Sequence, residues 1–186
     1  MNKWRIYGLG GITILMAPLG WVIAGFPRIA DFLELRHVEL GELIGGLLYG
    51  MLFGLFMILI TNTQAAEKSF RQQIQLVRSM KLNLFDILFL SLFAGFGEEL
   101  LFRAGLQLWV HPLIGSVFFV AIHGYLNPID WDTSKFGLLV LVFIIGVSYG
   151  FEWYGLWFSM VAHASYDFVL FYYWSKQKMI TDHFHE

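Results

Sequence analysis

The sequence predicts an all-α polytopic membrane protein, a helical bundle of about six transmembrane helices, and three observations carry that reading. Hydrophobic residues fill 58 % of the 186 positions and charged residues only 14 %, against about 25 % charged in an ordinary soluble domain. A soluble globule of this length cannot hide so much apolar surface, and a disordered chain shows the opposite balance. The apolar residues gather in long runs, and 18 % of the chain is aromatic, which suits spanning helices with interfacial aromatic belts.

The spans follow in order at 6–26, 41–61, 84–110, 112–126, 136–150 and 153–174. The first begins after a signal-like Met1-Asn2-Lys3-Trp4-Arg5. Its length is enough to cross, and Gly25-Phe26-Pro27 is a poor cleavage site, so it is expected to stay as a helix. The second carries Gly46, Gly50 and Gly54 at four-residue intervals, the pattern of a close helix–helix contact. The fourth and fifth are short for the roughly 20 residues of a straight span. Between the first two, residues 27–40 mix Arg28, Asp31, Glu34, Arg36 and Glu39 with Ile29, Phe32, Leu33 and Leu35, which suits an interfacial helix. Residues 62–83 form a basic connection with Lys68, Arg71, Arg78 and Lys81. The chain reads as one integral domain, 1–186. Residues 84–174 are its core, and 1–83 contribute two spans plus interfacial segments.

Charge narrows the function. A net charge of −2 offers no basic field for nucleic acid, and the absence of cysteine removes thiolate metal sites and thiol nucleophiles. With the N-terminus inside, Lys3, Arg5, Lys68, Arg71, Arg78, Lys81, Lys135, Lys176 and Lys178 fall on the cytoplasmic side and only Arg28 and Arg36 outside. That bias predicts a multi-pass plasma-membrane protein with both termini cytoplasmic.

The functional signal is a set of ionisable groups inside apolar spans: Glu98, Glu99 and Arg103 in the third, His123 in the fourth, His163 and Asp167 in the sixth. Each costs at least about 2.5–3.5 kcal/mol at bilayer depth, so each needs a partner or a wet cavity. Glu99 and Arg103 are four apart on one helical face, acid before base, and are expected to pair. Glu98 then points about 100° away and is free for another partner. Asp167 is four residues beyond His163 and can hold that imidazole, while Phe119, four before His123, can pack on its ring. A carboxylate beside one imidazole can take a proton from water while a second imidazole donates to a developing oxyanion. Amide hydrolysis within the membrane is the natural class.

These residues spell EExxxR at Glu98–Arg103, FxxxH at Phe119–His123 and HxxxD at His163–Asp167. In that order on successive apolar helices, they resemble the CAAX protease and bacteriocin-processing (Abi) family of intramembrane endopeptidases. The resemblance implies a bundle around an intramembrane polar cavity and a glutamate-type endopeptidase with neither cofactor nor metal. Its substrate would be a membrane-embedded or lipidated peptide. It also implies roles: Glu98 as general base, His123 positioning the water, His163 stabilising the oxyanion, and Glu99 with Arg103 shaping the site. Where members with well-described prenyl-endopeptidase activity carry Asn, this chain has Asp167, as other members do. Two further readings remain open: a zinc hydrolase built on Glu98, His123, His163 and Asp167, and a non-catalytic immunity or scaffold protein. Gly146-Val-Ser148-Tyr-Gly150 matches a nucleophile elbow, but that elbow needs a strand–turn–helix and here the pattern lies in an apolar span.

Overall fold

The computed structural model describes residues 3–36 and 38–177. Lys178 lies outside the described residues, and so does the Lys68 side chain. The described residues form helices joined by turns and loops, with no strand among them. The elements are α1 (Lys3–Ile23), α2 (Ile29–Phe32), α3 (Leu40–Thr61), α4 (Gln64–Met80), α5 (Leu84–Glu99), α6 (Pro112–Ile122), α7 (Trp131–Tyr154) and α8 (Leu156–Lys176). A π-helical turn, Leu100–Gly105, and a 3₁₀ turn, Leu106–Leu108, continue α5.

Contacts between helix ends set the topology. At one end Lys3 pairs with Asp86, and Asn62 and Tyr173 exchange side-chain hydrogen bonds of 2.8 and 3.0 Å. The start of α1, the end of α3, the start of α5 and the end of α8 therefore meet there. At the opposite end Trp109 Nε1 donates to the Ile23 carbonyl at 3.1 Å, and the Glu34 carboxylate caps α8 by accepting from Leu156 N at 2.7 Å. In between, α1, α3, α5, α6, α7 and α8 alternate in direction. Three of them, α1, α3 and α7, are long and apolar enough to cross a bilayer. The other expected spans differ for local reasons. The α-helical part of α5 ends at Glu99 and continues as the π turn, α6 has 11 residues, and α8 carries His163 and Asp167 in its apolar length.

Outward side chains are apolar. Leu15, Leu19, Leu52, Leu59, Leu92, Ile114 and Val142 are all more than half exposed, the inverse of a soluble surface and the surface a lipid phase requires. Inside, α3 and α8 run side by side because Gly46, Gly50 and Gly54 face α8. At Gly54 an added Cβ would lie 2.9 Å from the Val169 side chain, so only small residues allow the approach. The core of Phe143, Phe158, Tyr166 and Val147 fills the space between these helices and α7.

Two expectations are corrected. Among the described residues of 27–39, one helical turn forms, at Ile29–Phe32, and Leu40 already belongs to α3. The rest is used to reach α8, where Glu34 caps the helix and the Leu33 carbonyl accepts from Trp157 Nε1 at 3.0 Å. Residues 62–83 are not a simple connection, because α4 occupies most of them. Phe70, Ile74 and Val77 recur at helical spacing and are buried against the core, so the segment is an amphipathic helix with its apolar face on the bundle.

Candidate active site

The site is built where α5 changes pitch. A capping box starts the helix: Asn83 Oδ1 accepts from Asp86 N at 2.9 Å, and the Asp86 carboxylate accepts from Asn83 N at 2.9 Å. These bonds, with Lys3 on Asp86, fix the rotation of the helix. Glu98 and Glu99 are the last two residues before the π-helical turn, a distortion that recurs at functional sites. Gly97 seats this stretch directly on the Thr13 carbonyl of α1.

Glu99 faces protein. It is fully buried, as is Arg103. Arg103 Nε donates to Glu99 Oε2 at 2.9 Å, and its Nη1 reaches Gln107 Oε1 at 3.4 Å. Gln107 Nε2 in turn donates to the Ser148 carbonyl of α7 at 2.9 Å. The guanidinium carbon also sits 5.9 Å over the Phe119 ring, within cation–π range. The other oxygen of Glu99, Oε1, accepts from His163 Nδ1 at 2.8 Å. One carboxylate thus neutralises an arginine and fixes the tautomer and orientation of a histidine.

Glu98 faces a cavity. It is 6 % exposed, and its Oε2 lies 3.5 Å from His123 Nε2 and 3.9 Å from His163 Nε2. His123 Nδ1 donates to the Phe119 carbonyl at 2.7 Å, and its ring stacks on Phe119 with centroids 4.4 Å apart. Nε2 is therefore the nitrogen left for chemistry. The short α6 explains the placement. Eleven residues rise only about 16 Å, so the helix ends in mid-bundle, with His123 as its last cap residue and Gly124 turning the chain at φ 75°. The cavity has a volume of about 420 Å³. Glu98, His123, His163 and Asp167 line it together with Tyr125, Gln73 and apolar residues of α1, α4, α7 and α8.

All six expected residues, Glu98, Glu99, Arg103, His123, His163 and Asp167, fall in this one region, with Glu99 and Arg103 behind the cavity wall and the other four on it. The expected contact between Asp167 and His163 is present as an ion pair at the longer distance. The His163 ring is held at Nδ1 by Glu99. Asp167 Oδ2 lies 3.7 Å from the opposite nitrogen, Nε2, beyond hydrogen-bond reach. The sequence did not single out Gln107, which extends the arginine network, or Tyr125, which stacks 5.9 Å from the His123 ring. Nor did it expect α4 to line the cavity through Gln72 and Gln73. Gln107 lies one helical turn beyond Arg103, and that spacing was its available signal. Ser148, the central residue of the elbow-like pattern, is buried in α7 and shares a 2.7 Å hydrogen bond with Ser116. It therefore packs a helix pair.

Residues 80–169 match the family model described as Type II CAAX prenyl endopeptidase Rce1-like, a stretch that holds all six residues. No curated protein and no solved structure matches the chain.

Proposed function

We propose that the chain, whose residues 80–169 match the type II CAAX prenyl endopeptidase Rce1-like model and whose helices α1, α3 and α7 are long and apolar enough to cross a bilayer, is an intramembrane endopeptidase in which Glu98 activates water. The observation that carries this reading is the gap between Glu98 Oε2 and His123 Nε2. At 3.5 Å it is too long for a strong direct bond, and it opens on the cavity. A water on the cavity side, within hydrogen-bond reach of both atoms, gives one proton to the Glu98 carboxylate while His123 Nε2 accepts the other and holds it in line. The hydroxide so formed attacks the scissile carbonyl carbon. His163, carrying a proton at each ring nitrogen, keeps Nδ1–H on Glu99 and offers Nε2–H to the oxyanion. Glu99 and Arg103 act through His163 and through the rigidity they give to the π-helical turn.

The substrate is a membrane-embedded or lipidated peptide that enters from the bilayer, and both termini of the enzyme lie in the cytoplasm of a plasma-membrane protein. The test compares wild type with Glu98→Gln in the same cells, by mass spectrometry of membrane peptides. Peptides that accumulate uncut only with the Gln variant support the reading. Identical peptide profiles, with both proteins folded in the membrane, support a scaffold.

A further inference from the structure

We infer that Gln73 and Trp174 form a subsite that holds the substrate's main chain in extended form along α8. The inference rests on the endopeptidase reading above and adds the group that the cavity recognises. Both residues line the cavity that holds Glu98, His123 and His163. Gln73 comes from α4 and is 9 % exposed; Trp174, the last cavity residue of α8, is 3 % exposed. Neither Gln73 Oε1 nor Trp174 Nε1 has a hydrogen-bond partner among the described residues. The Tyr166 hydroxyl, on the same wall and closer to His163, is also buried and unbonded. Buried polar groups are almost always bonded, so three orphans around one cavity point to a ligand that supplies their partners. The two ends of the subsite are held near each other. Gln72 accepts from Thr133 Oγ1 at 3.1 Å, which fastens α4 to the start of α7. Phe136 packs between Phe70 of α4 and Trp174, with centroids 5.6 and 6.1 Å away. Gln73 and Trp174 both lie outside the matched stretch 80–169, and the motifs of the site do not include them.

The chemistry of the three groups selects the ligand. Gln73 Oε1 accepts, Trp174 Nε1 only donates, and the Tyr166 hydroxyl does either. A hydrocarbon tail offers no matching atom and leaves all three unbonded. An anionic headgroup or a free terminal carboxylate wants a fixed cation. Among the described residues no Lys or Arg lines the cavity, whose wall already carries Glu98 and Asp167. A neutral peptide main chain offers N–H and C=O groups in alternation, the basis of strand-like peptide recognition. Length fits as well. His163, Tyr166, Leu170 and Trp174 follow one face of α8 along the cavity. They rise about 16 Å, the reach of about five residues of extended chain. Leu76 and Val77 of α4 and Leu170 of α8 line the same stretch and receive apolar side chains. The subsite therefore runs from the reacting bond toward the end of the bundle where Asn62 bonds Tyr173. Gln73 and Trp174 are positioning residues that set the register of the chain against Glu98.

The test measures binding, so that it does not depend on turnover. Full-length Glu98→Gln protein in phospholipid nanodiscs is titrated with a library of farnesylated, N-acylated and helix-anchored peptides. The tightest binder is then remade with each main-chain N–H in turn replaced by N-methyl. Methylation at one position is expected to weaken binding about tenfold. Adding Gln73→Leu should weaken the unmethylated peptide by a similar factor. Methylation at that one position should then have no further effect, while its effects elsewhere persist. Because Leu removes an unbonded buried amide, the variant should melt at or above the temperature of its parent. Trp174→Phe, which keeps a ring and loses the N–H, should also weaken binding about tenfold. Unchanged affinity in the Leu variant, or a methylation profile that Gln73→Leu leaves intact, overturns the inference. So does an effect of Gln73→Leu that vanishes when the lipid is removed from the peptide, which would assign the residue to a lipid, and so does the lack of saturable binding by any peptide. Should the Leu variant fail to fold, Gln73→Met, which keeps the length of the side chain, takes its place. Peptides that bind in the expected way yet are never cut by wild type defeat the endopeptidase reading and leave the subsite standing.

Discussion

Glu98 and Glu99 are neighbours on one helix, yet they live in different media. Glu99 accepts a short bond on each oxygen, 2.9 Å from Arg103 and 2.8 Å from His163, with no exposed surface. Glu98 makes none that short, and its nearest nitrogens are 3.5 and 3.9 Å away across a cavity. The first arrangement is closed and rigid, and the second has room for a water and a substrate. A buried charge that is fully paired holds a shape, whereas one left loosely partnered beside a cavity can exchange protons. The 100° step between consecutive helical residues is enough to separate the two tasks.

The sharpest way to break this contrast is to remove the cavity side. Glu98→Ala and His123→Ala are each expected to lower peptide cleavage by about 100-fold or more. Circular dichroism and thermal melting in detergent should stay close to wild type, because neither side chain holds two helices together by a short bond. Unfolding of either variant would show that the cavity side also carries the fold.

Removal of the closed side should give the reverse signature. Glu99→Ala or Arg103→Ala leaves a fully buried charge without its partner, which costs about 3–5 kcal/mol. Each should therefore unfold at much lower denaturant, with activity lost alongside because His163 loses its anchor. The double variant Glu99→Ala/Arg103→Met should lose less than the sum of the single changes, since no orphan charge remains. Additive losses would mean that the two side chains stabilise the bundle independently.

This division was partly legible in the sequence. The i, i+4 spacing of Glu99 and Arg103 gave their pairing, and that pairing turned Glu98 elsewhere, because both follow from helix geometry alone. The glycine stripe of the second span likewise foretold its close packing, which occurs against α8. What spacing could not give was contact between distant segments. Asp167 has the same i, i+4 relation to His163 as Arg103 has to Glu99, and its Oδ2 comes within 3.7 Å of Nε2, but the short bond on that ring is made at Nδ1 by Glu99 from another helix. The local rule gave the neighbour and missed the shorter tertiary bond. The helix in 62–83 was hidden for a related reason. Its apolar residues Phe70, Ile74 and Val77 are few and spaced by a turn, and the basic residues between them dominated a reading based on charge.

The smallest effect tests how far the closed side extends. Gln107 is half-buried at the outer end of the network, where it accepts from Arg103 Nη1 at 3.4 Å and donates to the Ser148 carbonyl at 2.9 Å. Arg103 Nη2 already has no hydrogen-bond partner, so Gln107→Leu would leave the guanidinium bound through Nε alone. The expected cost is about 1 kcal/mol, read as a modest fall in the denaturant midpoint. Peptide cleavage should stay within about twofold, because Glu99 still holds both Arg103 and His163. If cleavage fell by tenfold or more without matching destabilisation, the guanidinium would have to shift Glu99 and, through it, His163. The rigid side of the helix would then be transmitting position to the reactive side, and the boundary between the two glutamates would lie further from the cavity than their geometry places it.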